Sequence, residues 1–186
     1  MRTNPFLLSI IPAVLPLWLA LFLPAPASAQ LGKTADECTK FFGRPAGSDT
    51  RELTPPARIR YWYSWHGFDI RAQFVGRDVK DSRCGLATYS TIHRPGGPIR
   101  AMTDAEIESL LALNANGGRW EAIPWNRASW ERAWKRSDNR ALAIESRYTH
   151  GGVPDNGLTI ATADFYPKGS KSSAEFRALL SGGVSK

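Results

Sequence analysis

Three histidines, His66, His93 and His150, are the first place to look for chemistry in this chain. None stands in a His-x-x-x-His arrangement, which would set two imidazoles on one helical face around a metal ion. Each falls among turn formers, where an imidazole is ordinarily solvated. No serine occupies a Gly-x-Ser-x-Gly elbow, so the nucleophile of an α/β-hydrolase is missing. A small hydrolase built from dispersed residues stays open as an alternative. There is no phosphate loop and no dinucleotide fingerprint. Asp36-Glu37 and Asp104-Ala105-Glu106 follow threonines at capping distance and suit a first helical turn better than an acid/base pair. Asp155-Asn156-Gly157 begins like a calcium loop but lacks the later ligands, so it reads as a turn. The expectation is a non-enzyme with no catalytic residue, no metal and no cofactor.

Binding is the other chemistry on offer. Of the seven tryptophans, all but Trp18 lie beyond residue 29: Trp62, Trp65, Trp120, Trp125, Trp130 and Trp134. Most are expected to fill the space between a sheet and a helix. Trp62 differs, because Ile59, Tyr61, Tyr63 and Trp65 share one face of a strand and leave it on the other. Trp130 and Trp134 share a strand face among Arg127, Arg132, Lys135, Arg136 and Arg140. Basic groups interleaved with indoles can dock an acidic protein surface or an anionic glycan. The candidate partner-binding residues are therefore Trp62, Arg127, Trp130, Arg132, Trp134 and Arg136. The bland reading of this run is a solvated strand face, with Glu131, Asp138 and Glu145 offsetting part of the charge.

Composition limits the possibilities further. The chain has 186 residues, 42% of them hydrophobic and 22% charged. Those proportions exclude a disordered, collagen-like or multi-span membrane protein. Arg2 is the only charge before Lys33, an apolar run follows from Phe6 to Phe22, and Ala27-Ser28-Ala29 ends it. This predicts a signal peptide over 1–29 that is removed, leaving no integral membrane segment and a periplasmic or secreted protein. Cys38 and Cys84 are then expected to form a disulfide. Closing that loop would stabilise by ~4 kcal/mol. The formal charge of +7 suits solubility and also attracts an acidic protein, an anionic glycan or a lipid surface. Nucleic acid is not expected outside the cell.

These residues need elements to hold them. Thr34-Ala-Asp-Glu37 is a capping box, followed by Cys38, Phe41 and Phe42 at helical spacing and the Gly43-x-Pro45 stop. Period-two alternation then gives strands at 58–65, 68–74 and about 79–92, with a bulge expected at Gly85. Thr103-Asp-Ala-Glu106 repeats the box 69 residues after the first. Strands follow near 129–137, 140–148 and 158–165, with a third box at Ser172-Ser-Ala-Glu175 before a final helix. The fold expected is α+β: a tandem of helix plus three-stranded antiparallel meander units, at 30–93 and 94–167, with a C-terminal helix and tail at 168–186.

Residues 31–80 carry the spacing Gly32-x-Thr34-x-x-x-Cys38-x-x-x-Phe42-Gly43-x-Pro45 and then Tyr61-Trp62-Tyr63. This resembles the small envelope lipoproteins of outer-membrane assembly, the BamE/SmpA group. The tandem plan is similar to that of the β-lactamase inhibitory protein. The chain departs from the lipoproteins in lacking a lipid-attachment cysteine and in showing one helix before its first sheet. The resemblance implies a non-enzymatic, protein-binding scaffold of the cell envelope and assigns no binding residue. Binding of anionic envelope glycan or lipid is the first alternative, and the dispersed hydrolase the second.

Overall fold

The computed structural model describes residues 30–51, 53, 56–93, 100–124, 130–150, 153–166 and 171–181. The expected signal peptide lies outside them, as do Trp125 and Arg127. The chain runs α1 (Ala35–Phe42), β1 (Gly47–Asp49), β2 (Ala57–Trp65), β3 (Phe68–Val75), β4 (Arg83–Thr91), α2 (Asp104–Leu113), β5 (Trp120–Ile123), β6 (Trp130–Arg136), β7 (Ala141–His150), β8 (Val153–Thr162) and α3 (Lys171–Leu180). All eight strands join one antiparallel sheet in the order β1-β2-β3-β4-β8-β7-β6-β5. Each run of four strands starts at an edge and works inward, so the two runs meet where β4 pairs with β8.

Local chemistry accounts for the helices. In α1 the Thr34 hydroxyl accepts from the Glu37 amide at 3.3 Å, and Glu37 accepts from the Thr34 amide at 2.8 Å. Thr103 and Glu106 make the same reciprocal pair at the start of α2. Gly43 closes α1 at φ 88°, a left-handed value that a side chain would strain, and its N–H returns to Thr39 O at 2.9 Å. The C-terminal carbonyls of α2 are met by side chains: Trp120 Nε1 donates to Leu111 O and Asn114 Nδ2 to Leu110 O.

Alternation accounts for the sheet. One face gathers Tyr63, Ile70, Phe74, Tyr89, Leu158 and Ile160 beneath α1 and α2, all of them buried. The opposite face buries Leu86, Leu142, Ala161 and Phe165 beneath Phe176, Leu179 and Leu180 of α3. Burying each of these large side chains stabilises the fold by roughly 1.5–3 kcal/mol. The register passes from Phe74↔Cys84 to Gln73↔Leu86, so Gly85 is the extra residue of a bulge. A Cβ there would lie 3.1 Å from both Phe165 and Val75.

Several expectations are corrected. Among the described residues the fold is predominantly β, one continuous sheet with three helices of eight to ten residues, and not an α+β pair of three-stranded meander units. Each run holds four strands. β1 escaped notice because three residues, Gly47–Asp49, are too few for a period to show, and β5 was hidden inside what reads as a Trp-rich connection. Residues 79–82 form a turn, so β4 starts later than expected. β8 starts earlier, at Val153, and takes in the Asp155-Asn156-Gly157 stretch read as a turn. Its pairing with β7 runs on to His150↔Val153, and that pairing overrides the turn propensity of the three residues. α3 begins at Lys171, ahead of the Ser172 proposed as its cap. Cys38 and Cys84 are free thiols, both buried. Among the described residues no helix is long and apolar enough to cross a membrane.

Candidate binding face

α3 covers only one end of its side of the sheet, across Ala57, Val75, Leu86, Ala161 and Leu142. Two rows of side chains beyond it are not part of that cluster. One runs Trp62–Arg71–Thr88–Thr159 across β2, β3, β4 and β8. The next runs Ser64–Asp69–Ser90–Gly157–Ser146 out to β7. The middle of both rows is small and polar, and Thr88 and Thr159 share a hydrogen bond at 3.3 Å. Larger groups stand at the sides. Trp62 is half-buried against β1, where a Cβ on Gly47 would come within 2.9 Å of the indole. Arg71 and Tyr148 are exposed.

Tyr148 is carried by β7. Its ring leans over β8, with Cε1 and the hydroxyl oxygen each 3.7 Å from where a Gly157 Cβ would stand. Partial burial raises the Tyr148 pKa, the Asp155 charge and a hydrogen bond to that carboxylate raise it further, and Arg71 opposes them. Asp155 itself is buried. Its Oδ1 accepts from the Asn156 amide at 2.8 Å, and its Oδ2 lies 3.1 Å from His93 Nε2. Oδ2 receives no well-aligned hydrogen bond from the described residues, His93 included.

Of the residues singled out in the sequence, only Trp62 is placed on this face by its side chain. Trp130 pairs through its backbone with Ser146, and its side chain is outside the described residues, as is all of Arg127. Arg132, Trp134 and Arg136 lie on the opposite, helix-covered side. Arg132 donates to the buried Glu145 and, at 2.7 Å, to Asp104 of α2, while its guanidinium sits 5.5 Å over the Trp134 ring. Burial alone would raise the Glu145 pKa, but the bonds from Arg132 and Asn156 outweigh it and the net shift is downward. Arg136 is 4% exposed, held by Asp138 at 2.9 Å and directed at Asn114 O beyond the end of α2. Arg132 and Arg136 therefore fasten helix to sheet. Trp134, with Trp120, lines a separate cleft of about 400 Å³ between α2 and the β5–β6 edge.

Reading the sequence missed Arg71, His93, Tyr148 and Asp155. Tyr148 was legible as sharing a face with Leu142 and Ile144, but which face stays open depends on where α3 lies. His93 and Asp155 were passed over because their partners are distant in sequence. Comparison with protein-family models, with curated proteins and with solved structures finds no match for this chain.

Proposed function

We propose that the chain is an exported, non-catalytic binding module of the cell envelope, periplasmic or secreted, that docks a protein partner on the open half of its sheet. One observation carries this reading: Trp62, Arg71 and Tyr148 surround a floor of small side chains on a face that α3 leaves uncovered. An indole, a guanidinium and a phenol are the groups that concentrate binding energy at protein interfaces. The small floor gives a protruding loop room to enter. The excess of basic over acidic residues, +7 for the full sequence and one less without Arg2, favours an acidic partner, as does the exposed guanidinium of Arg71. The resemblance of residues 31–80 to envelope scaffold proteins points the same way. Capture from an envelope extract on immobilised protein tests the reading. A partner held by the wild type and lost from Trp62→Ala and Arg71→Glu is expected; equal recovery on all three would sink it.

A second reading, a binder of anionic glycan, is favoured by the Trp120/Trp134 cleft. Two half-buried indoles there stand beside Arg119, a pairing suited to a sugar ring and its acidic substituent. Quenching of tryptophan fluorescence by acidic oligosaccharides, abolished in Trp134→Phe/Trp120→Phe, would favour it over protein docking.

A further inference from the structure

Two asparagines in the chain precede glycine, Asn116 and Asn156, and the fold treats them in opposite ways. An asparagine ahead of glycine is open to attack on its own side chain, because the next residue has no Cβ to obstruct the ring that forms. Asn156 is closed to this. It is 2% exposed, its Nδ2 donates to Glu145 Oε1 at 2.7 Å, and its Oδ1 accepts from the Met102 amide. Gly157 is paired with Ser90 and Ser146 inside the sheet. Asn114 is held in the same way: it is buried, and its Nδ2 donates to Tyr89 Oη at 3.0 Å and to Leu110 O at 2.8 Å. Asn116 is open. It lies in the link between α2 and β5, where both it and Gly117 are exposed. The two stand at φ 47° and 79°, in a tight turn closed by Gly118 N–H donating to Ala115 O at 2.9 Å. Among the described residues no hydrogen bond holds the Asn116 amide or the Gly117 N–H. The space where a Gly117 Cβ would stand is empty to 4 Å.

We propose that Asn116-Gly117 is a self-modifying site, which deamidates in the folded protein while Asn156-Gly157 stays intact. Gly117 N bonds to Asn116 Cγ, the Cγ–Nδ2 bond breaks, and the proton of Gly117 N leaves with Nδ2 as ammonia. Water then opens the five-membered succinimide. Addition at the side-chain carbonyl gives aspartate; addition at the main-chain carbonyl gives isoaspartate, whose backbone runs through the former side chain. Water is the only co-reactant. Either product carries a carboxylate where a neutral amide stood, and isoaspartate also adds a methylene to the main chain inside the turn. The turn is flanked by Ala115 and Gly118, which line the Trp120/Trp134 cleft together with Arg119. The new charge therefore arises at the border of that cleft. The inference is independent of the docking face and of whatever the cleft binds.

The test is to hold the purified, folded protein in mildly alkaline buffer at physiological temperature, sample it over days and digest each sample with trypsin. Asn116 and Asn156 fall on separate fragments, ending at Arg119 and Lys168, and fragment spectra separate Asn116 from Asn114. The Asn116 fragment is expected to exchange NH for O progressively, as two isomers that chromatography resolves, and faster as the pH is raised. Asn156 should lag by about a hundredfold or more, since it reacts only when the sheet opens. In denaturant the two sites should convert at similar rates. On ion exchange an acidic species should grow in the wild type and be absent from Asn116→Gln, and Asn116→Asp should elute with the aspartate product. Conversion of Asn156 as fast as Asn116 in the folded protein would overturn the proposal. So would an unchanged Asn116 over a period in which the denatured chain converts at both sites. That comparison lies within wild-type samples, so it decides the matter whether or not a variant folds.

Discussion

Glu106 shows how much one side chain can be asked to do. It accepts from the Thr103 amide at 2.8 Å as the closing half of a capping box, and it takes both ends of the Arg100 guanidinium at 2.8 and 2.6 Å. The Arg100 bond holds its carboxyl down to about 2, from an ordinary 4.5. A carboxylate whose folded pKa is depressed adds stability above its unfolded value, and that stability is lost as the pH falls through the folded one. The window here runs from 4.5 down to about 2. Glu106→Gln is therefore expected to melt below the wild type at pH 5, with the gap closing toward pH 2. Thermal unfolding followed at both ends of that window checks it; a gap that stays constant would mean the carboxylate charge is not the cause.

At the scale of elements, α1 and β4 are joined before any oxidation. The segment ahead of α1 exchanges backbone bonds with β4, Gly32 N to Cys84 O at 2.8 Å and Cys84 N to Lys33 O at 2.7 Å. The thiols of Cys38 and Cys84 meet beneath this stitch. Their mutual hydrogen bond, with burial second, pushes the Cys84 thiol well above its ordinary value. Since the two thiols are free, treating the purified protein with an oxidant is expected to make it lighter by two hydrogens and to add ~4 kcal/mol of stability. Intact mass under non-reducing conditions decides the first point and denaturant unfolding the second. Free thiols in such a sample would refute both.

The elements also show what the sequence made legible. The two threonine caps, the Gly43 stop, the alternation of β2 and β3 and the Gly85 bulge are local, each fixed by a few neighbouring side chains, and all could be read. The short β1 and β5 could not, since their strand character comes from lying beside Arg60–Trp62 and Ala133–Arg136. The merging of everything into one sheet depends on Leu86↔Ala161 and its neighbours, a pairing no local pattern announces. The same blindness hid the candidate site. Trp62 could be seen to face away from its strand's apolar side, but His93 and Asp155 meet only because β4 and β8 do.

For the whole molecule, α3 is the element that divides the second face into a covered end and an open one. Phe176, 5% exposed, lies with its ring centroid 5.2 Å from that of Tyr166, the two planes tilted by 49°. Phe176→Ala is expected to cost about 3 kcal/mol. It should also expose Leu86, Leu142 and Ala161, so the variant should bind an apolar dye that the wild type ignores. Unfolding curves and dye fluorescence together check this; a stability loss without dye binding would show that the remaining helix still covers the sheet.

The seam between β4 and β8 has a consequence for how the protein comes into being. Half of the sheet is complete by Thr91, yet β4 then presents its free N–H and C=O groups to a neighbour that ends only at Thr162. A chain emerging amino end first must wait with that border bare, the state in which strands most readily recruit a stranger. Whatever escorts the unfolded chain has to shield that border until Thr162 has emerged.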